Sequence, residues 1–347
     1  MRRQVGIREV AAEAGVSITT VSHALNGKGR LSNQTREHVK EVAHRLGYRP
    51  NAVARNLAGG RSGLIGLSVA QMIEGQFAIA DFAYYAQLMN AATVAAFDRG
   101  FALVLASGTK ESAWNNLMLD GLIVVDPIRD DPVWAEFSSR GIPVVTTGRV
   151  PGDPDGYWID NDHFEATPAI LDHLCARGAE RIALIGTPPV TTYATDSREA
   201  YERWCIRNGK ESMVVIARHD LTEVAGYEAT LKLLRRDDPP DAIYAMLDRM
   251  AIGALLAGRA EGFAVPRQLQ IAGCTDSEAG RLARPSLTAL ALNPEQIGRE
   301  AVSMIATLIE GGQPPNPHVI VPTKIIPRGS TRKKTFAATP PLAAPQP

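Results

Sequence analysis

Cysteine is scarce in this chain, and long apolar runs and an excess of either charge are missing. Its three cysteines, Cys175, Cys205 and Cys274, are widely spaced. An odd, scattered set supplies neither a disulfide framework nor a metal pattern, so a reducing cytoplasm is expected and no bound metal is. No stretch approaches the roughly 20 apolar residues that cross a bilayer, so no membrane partner is expected. The basic first residues run straight into a charged segment with no apolar run behind them, which argues against a secretory leader. The 37 Lys/Arg balance the 37 Asp/Glu. Phosphate loops are absent too: no GxGxxG follows Leu67, and no GxxxxGK[ST] occurs. No Ser/His/Asp set sits in a recognisable elbow. His163 and His173 lack a carboxylate spacing that would make a metal site, and surface or capping roles are assigned to both. Nothing specific supports an enzyme, and no cofactor is expected.

The overall charge balance hides a split. Residues 1–61 hold eleven Lys/Arg against four Asp/Glu, a net of +7, which leaves −7 on the remainder. A small positive head on a larger acidic body fits a phosphate-binding module joined to something else. The 347 residues suit two or three domains.

Within the head, IREVAAEAGVSITTVSHALN (7–26) reads as two short helices around a tight turn. Ile7, Val10 and Ala11 share one face of the first; Ile18, Val21 and Leu25 can share one face of the second. Gly15 stands where the first must stop, and Ser17 is placed to cap the second. Such a pair can set its second helix in a DNA major groove, or can be an ordinary helical hairpin. The polar run Thr19, Thr20, Ser22, His23 and the basic segment that follows favour DNA. Ser32 is a cap for a third helix through Leu46, and Gly47 is placed to end it. Ile18, Thr19 and His23 are the base-edge candidates, with a core contact open for Ile18. Ser17, Ser22, Asn26, Ser32, Thr35 and Arg36 suit phosphates, with an ordinary exposed turn open for Thr35 and Arg36. Pro50 to Gly60 has strong helix formers but is too short to hold a helix alone. Leu57 has little local core to enter; it can wedge into a minor groove on docking, or belong to a plain linker.

The head resembles that of the LacI/GalR (lactose-repressor-like) family of bacterial transcription regulators. The resemblance is carried by VAAEAGVSITTVSHALN and LSNQTREHVKEVAHRLGYRPNAVARNLAGGRSGLIGL. It implies that the second helix reads double-stranded operator DNA. It also implies that YRPN leads into a hinge helix, that Leu57 enters the central minor-groove step of a palindrome, and that Asn51, Ala54 and Arg55 lie along the groove. Gly6 stands where the family has a capping Thr, and His23 where it has a recognition-helix Arg.

In the body, LIGLSVA (64–70), ALVLAS (102–107), LIVVD (122–126) and PVVTTG (143–148) read as buried parallel strands with helical segments between them. A second series follows: RIALIG (181–186), SMVVIA (212–217), AIYAML (242–247) and LQIAGC (269–274), with helices at 164–177, 197–208, 223–236 and 249–260. Two such α/β units invite a cleft outside the C-terminal ends of their strands. The segments LDGLIVV, IPVVTTGR, WIDNDHFEAT, GAERIALIG, DAIYAMLDRMAIGAL, VPRQLQIAGCTD and PSLTALALNPEQIGREAVSMIATLIEGG extend the same resemblance to a two-lobed, periplasmic-binding-protein-like effector core.

The fold class expected is therefore a small all-α helix-turn-helix head and hinge helix, then a two-lobed α/β core with parallel sheets. The domains are 1–49 (DNA-binding), 50–61 (hinge and linker), 62–329 (effector-binding and dimerisation core) and a disordered Pro/Ala tail at 330–347. Lobe 1 takes about 62–160 and 291–317, lobe 2 about 161–290 and 318–329, with chain crossings near Asp160, Ala291 and Pro317. Helix 294–310 returns to lobe 1.

Asp81, Phe82 and Tyr85 follow the first strand and are cleft candidates; the rings can stack on a ligand or cap the sheet. Arg149, after a strand end, and Arg198 resemble effector-side arginines of the family. Asp248 stands at a strand end where the family has Asn-Asp. Thr275 stands where the family has the first Asp of a pair, with Asp276 at the second, which weakens the case for a hexose. Trp158 can pack a sugar face or the core. The resemblance implies a homodimer, and the face with Ala83, Ala86, Leu88, Ala91 and Ala95 is offered as its interface. It implies a cytoplasmic, nucleoid-associated regulator, a repressor more often than an activator, controlled by a small polar effector. A carbohydrate ranks first; a purine or amino-acid derivative is the alternative. An enzyme acting on a cleft ligand, or an architectural DNA binder that ignores small molecules, is the reading from another class.

Overall fold

A computed structural model describes residues 5–25, 29–48, 61–69, 83–107, 114, 117–153, 155–218 and 221–332. Asn26, Asn51, Ala54, Arg55, Leu57, Asp81, Phe82 and most of the expected tail lie outside the described residues. The chain divides into two units, Met1–Gly63 and Leu64–Pro347.

The first unit is three helices, α1 (Ile7–Ala14), α2 (Ile18–Leu25) and α3 (Asn33–Arg45). Gly15 ends α1 at φ +64, a left-handed conformation that glycine adopts without a Cβ penalty. The Ser17 hydroxyl then accepts from Thr20 N at 3.0 Å and starts α2. The Ser32 hydroxyl does the same for α3 through Thr35 N at 3.1 Å. Val10, Ala11, Ala14, Val21, Ala24, Val39, Val42 and Ala43 form the shared core. So small a core leaves little reserve, and each cap matters. Ser32→Ala should cost about 1 kcal/mol and speed amide exchange across the first turns of α3. Unchanged exchange there would refute the cap's contribution.

The second unit holds two six-stranded sheets wound alike. The first is ordered β11-β5-β4-β3-β1-β2 and the second β12-β10-β9-β8-β6-β7. The first uses β1 (Leu64–Val69), β2 (Ala102–Ser107), β3 (Gly121–Val125), β4 (Val144–Thr147), β5 (Tyr157–Asp160) and β11 (His318–Ile320). The second uses β6 (Ile182–Gly186), β7 (Met213–Ile216), β8 (Ala242–Ala245), β9 (Gln270–Cys274), β10 (Thr288–Ala291) and β12 (Lys324–Ile326). All pairs are parallel except β10 with β12. Central strands such as β3 are apolar on both faces because helices cover both.

The helices are α4 (Ala83–Asp98), α5 (Pro132–Ser139), α6 (His163–Cys175), α7 (Thr192–Arg207), α8 (Glu223–Leu234), α9 (Asp248–Ala260), α10 (Glu278–Leu282) and α11 (Pro294–Ile309). As expected, α11 returns to the first lobe, where a Cβ on Gly298 would stand 2.4 Å from the Leu88 carbonyl oxygen of α4. Of the face of α4 offered as a subunit interface, Leu88 and Ala91 are buried, Ala83 and Ala95 half-buried and Ala86 exposed. Val94 and Phe97 are the exposed large apolar residues of that helix. Between α8 and α9 the backbones touch: a Cβ on Gly253 would lie 2.0 Å from Glu223 O, and one on Gly226 would lie 2.3 Å from Met250 O.

The chain passes between lobes three times. The third passage differs from the expected one. β11 pairs with β5, His318 opposite Trp158, so residues 318–320 belong to the first lobe and the crossing falls between Ile320 and Lys324. Buried Asn161 ties the three passages together. Its side-chain amide donates to Leu292 O at 3.2 Å and to Val321 O at 2.7 Å.

Candidate functional site

In the head, Thr19 and Ile18 open α2 on its exposed side. Ile18 is 46% exposed, which removes the core alternative for it. Ser17 and Ser32 are exposed as well as capping, and Ser22 and Thr35 are half-buried. His23 is half-buried and close to Gly29; a Cβ on that glycine would come 2.5 Å from the imidazole Nδ1. Arg36 departs from its expected phosphate role. One of its terminal nitrogens donates to His23 O at 3.3 Å and Ala24 O at 3.4 Å, the last carbonyls of α2. The guanidinium thus closes the C-terminal end of α2, where free carbonyls favour a cation. Gly6, in place of a capping side chain, leaves Glu9 to reach back to Gly6 N at 2.7 Å.

In the body, the C-terminal ends of both sheets face a cavity of about 290 Å³. The first lobe contributes Tyr84 and Tyr85 from the start of α4, Asp126 after β3, Gly148 after β4, and Asp160 and Asn161 after β5. The second contributes Thr187 after β6, Tyr193 on α7, Glu223 opening α8, Asp248 and Arg249 opening α9, and Thr275, Ser277 and Glu278 after β9. This is where the winding of an open parallel sheet puts a ligand.

Hydrogen bonds fix most of these groups. Tyr85 donates to Asp126 Oδ2 at 2.7 Å. Tyr193 donates to the Met246 carbonyl, and its ring meets His163 edge-on at 4.7 Å. Glu223 holds Arg249 through two bonds of 2.9 and 2.8 Å. Asp248 is 2% exposed; its Oδ2 accepts from Ser277 N and from the Thr275 hydroxyl, and its Oδ1 has no hydrogen-bond partner among the described residues. Gly273 makes the room, since a Cβ there would come 2.3 Å from Asp248 Oδ1. Thr275 has φ +96, an outlier for a β-branched residue and the kind of backbone strain that collects at binding sites.

Burial raises the carboxyls of both Asp126 and Asp248 to about 6, the first despite the Tyr85 bond and the second despite the Ser277 bond. Ionising them therefore opposes folding. Their contribution, measured against permanently neutral side chains, is complete below about 4 and lost as pH rises through about 6. The melting temperature of the wild type minus that of the Asp126→Asn/Asp248→Asn double variant should fall from pH 4 to pH 7. A flat difference would contradict the burial account.

Of the expected effector residues, Tyr85, Asp248 and Thr275 line the cavity. Four others do not. Arg149 is engaged across the lobes: it pairs with Asp196 on α7, its Nε lies 3.5 Å from Asp160, and its carbonyl accepts from the Thr192 hydroxyl at 3.1 Å. Arg198 lies outside; α7 starts at Thr192, capped by Thr191, five residues before the expected 197, and Arg198 pairs with Glu202 at 2.8 Å on the surface. Trp158 stacks on His318 at 4.5 Å and borders a separate cavity of the first lobe. Asp276 turns to Arg328 at 2.6 Å. His163 reverses its surface assignment: it is 5% exposed, lines the cleft and stands 3.6 Å from Asp160. Asp162 caps α6, accepting from Phe164 N at 3.1 Å.

Asp126, Asp160, His163, Tyr84, Tyr193, Glu223 and Arg249 escaped sequence reasoning. Asp126 and Asp160 each end a strand run, LIVVD and YWID, and that position alone could have marked them.

Residues 6–51 match the model of bacterial regulatory proteins of the lacI family, and residues 171–331 match a periplasmic binding protein-like domain. The HTH-type transcriptional regulator CelR of Thermobifida fusca is 30% identical, over 95% of this chain and 99% of that one. Catabolite control protein A of Priestia megaterium is 28% identical over 94% and 99%. Among solved structures, a CelR–cellobiose complex matches with TM-score 0.72 at 29% identity, covering 94% of this chain and all of that one. The lac repressor dimer bound to operator and the anti-inducer ONPF matches with TM-score 0.80 at 25% identity, over 95% and 100%. With a helix-turn-helix head and an effector cleft between two lobes, the chain belongs to the LacI family of bacterial transcription regulators.

Proposed function

We propose that this regulator is a repressor that binds a palindromic operator as a homodimer and leaves it when a small carbohydrate enters the cleft. One observation carries the reading: the cleft walls come from both lobes, Tyr85 and Asp126 from one, Asp248 and Thr275 from the other. A ligand touching both walls has a different affinity for each lobe angle, and that difference is what couples it to DNA. The relative described in complex with cellobiose supports a carbohydrate. The relative described as a dimer on its operator supports the assembly. On α2, exposed Ile18 and Thr19 are the residues that read bases, and His23 gives the operator its own sequence.

The test is selection of bound sites from random DNA by the full-length protein, repeated with each sugar that raises its melting temperature. An inverted repeat that is lost on adding the sugar is the expected result. A site without two-fold symmetry, or one held more tightly with sugar, would overturn the repressor reading.

A further inference from the structure

The cleft is acidic in a way its hydrogen bonds do not neutralise. Among the described residues its wall holds five carboxylates against one guanidinium and one imidazole, that of His163, which stands 3.6 Å from Asp160. That guanidinium, Arg249, is already held through both Glu223 oxygens. Arg149, the other nearby cation, pairs with Asp196 and with Asp160, so one of the five wall carboxylates is already offset. An anionic ligand would therefore add charge to buried charge, and among the described residues no further Lys or Arg lines the wall to meet it.

Of the wall carboxylates that no Lys or Arg is seen to pair, Glu278 is exposed on α10 and Asp126 stands next to Tyr85. The recorded side-chain partner of Asp126 is the neutral Tyr85 hydroxyl, and no Lys or Arg reaches it among the described residues. It stands at a strand end with φ +50, held in a conformation that Asp tolerates but does not prefer. Across the cleft stands Asp248, buried, with its Oδ1 turned to Gly273 and its Oδ2 held by Ser277 N. Three phenol rings, Tyr84, Tyr85 and Tyr193, complete this part of the wall, with Tyr84 and Tyr85 edge-to-face at 5.4 Å. Carboxylate and aromatic faces together recognise an ammonium group, through a charge-assisted hydrogen bond and cation–π attraction. A neutral hydroxyl would leave the desolvated carboxylate without a counter-charge.

We infer that the effector is a hydroxylated amine, an amino sugar, whose ammonium group is received by Asp126 among these tyrosines. This rests on the regulator reading and narrows its carbohydrate to one class.

The test is calorimetric titration of the full chain at pH 7.5 with four probes of matched shape: cellobiose, the β-1,4-linked glucosamine dimer, its N,N′-diacetyl form and cellobionate. The glucosamine dimer should bind at least about tenfold tighter than cellobiose or the diacetyl form, and cellobionate not at all. Asp126→Asn, which keeps an acceptor for Tyr85, should weaken the glucosamine dimer by about tenfold and cellobiose by less than about threefold. Cellobiose binding as tightly as the glucosamine dimer, equal losses in Asp126→Asn, or no binding by any of the four would each overturn the assignment. Operator binding in the same preparations judges the regulator reading separately. A neutral sugar that binds and releases DNA would uphold that reading while refuting the amine.

Discussion

Gly253→Ala is expected to destabilise the body by about 3 kcal/mol or more, with a melting temperature lower by roughly 6–12 °C. The reason is the backbone contact between α8 and α9. The new Cβ would meet Glu223 O at 2.0 Å and Tyr227 N at 2.6 Å. Both are main-chain atoms, so no rotamer change relieves the clash. Gly226 faces Met250 from the other side, with a Cβ 2.3 Å from its carbonyl oxygen, so the contact is reciprocal. The helices must separate, and a typical domain has only about 5–15 kcal/mol in total to lose. The same separation would reach function, because α8 begins with Glu223 and α9 with Asp248 and Arg249. Ligand affinity should fall with stability. A calorimetric scan showing a drop below about 2 °C would mean that the helices part more easily than their contact implies.

Arg149→Met should produce the second large effect. Arg149 follows β4 in the first lobe, while Asp196 lies in the second turn of α7 in the other. Asp160 and Asp196 are both buried, at 7% and 8% exposure. Removing the guanidinium leaves two carboxylates without their cation. Breaking a fully buried pair costs about 3–5 kcal/mol; with a third of the arginine side chain exposed, about 2–3 kcal/mol is the better expectation. Most of that loss should disappear when Asp196→Asn is combined with Arg149→Met, because the uncompensated charge is then gone. The double variant should also scatter X-rays as a more open body without ligand, since the Arg149–Asp196 pair bridges the lobes. A double variant as unstable as the single one would exclude the electrostatic explanation.

Helix-turn-helix punctuation was legible because caps and stops are local. Gly15, Ser17 and Ser32 each act within four residues of their own position. The buried parallel strands were legible because both faces are apolar. The short strands β5, β10, β11 and β12 were not, since three or four residues of mixed polarity carry no periodicity. The cleft was partly legible through strand ends, which yielded Asp248 and Thr275. Arg198 was placed in the cleft by the family resemblance alone; on α7 it pairs with Glu202 on the surface, a neighbour one turn away. Arg149 failed for a different reason. Its position was right, but its partner Asp196 is 47 residues away, and only tertiary structure brings the two together.

The amide of Asn161 reaches two chain segments 29 residues apart in sequence while its own backbone forms a third. Mechanically, this is a pin through three straps. Straps fastened at one point cannot slide past one another, and three of them resist twisting about the long axis. The motion such a pin favours is a rotation about it. Any molecule that fits between the lobes, whatever its shape, can then report itself as an angle. A regulator built on one angle sorts its ligands by how far they let the lobes close, so an inducer and an anti-inducer can share one cleft and nearly all of its contacts.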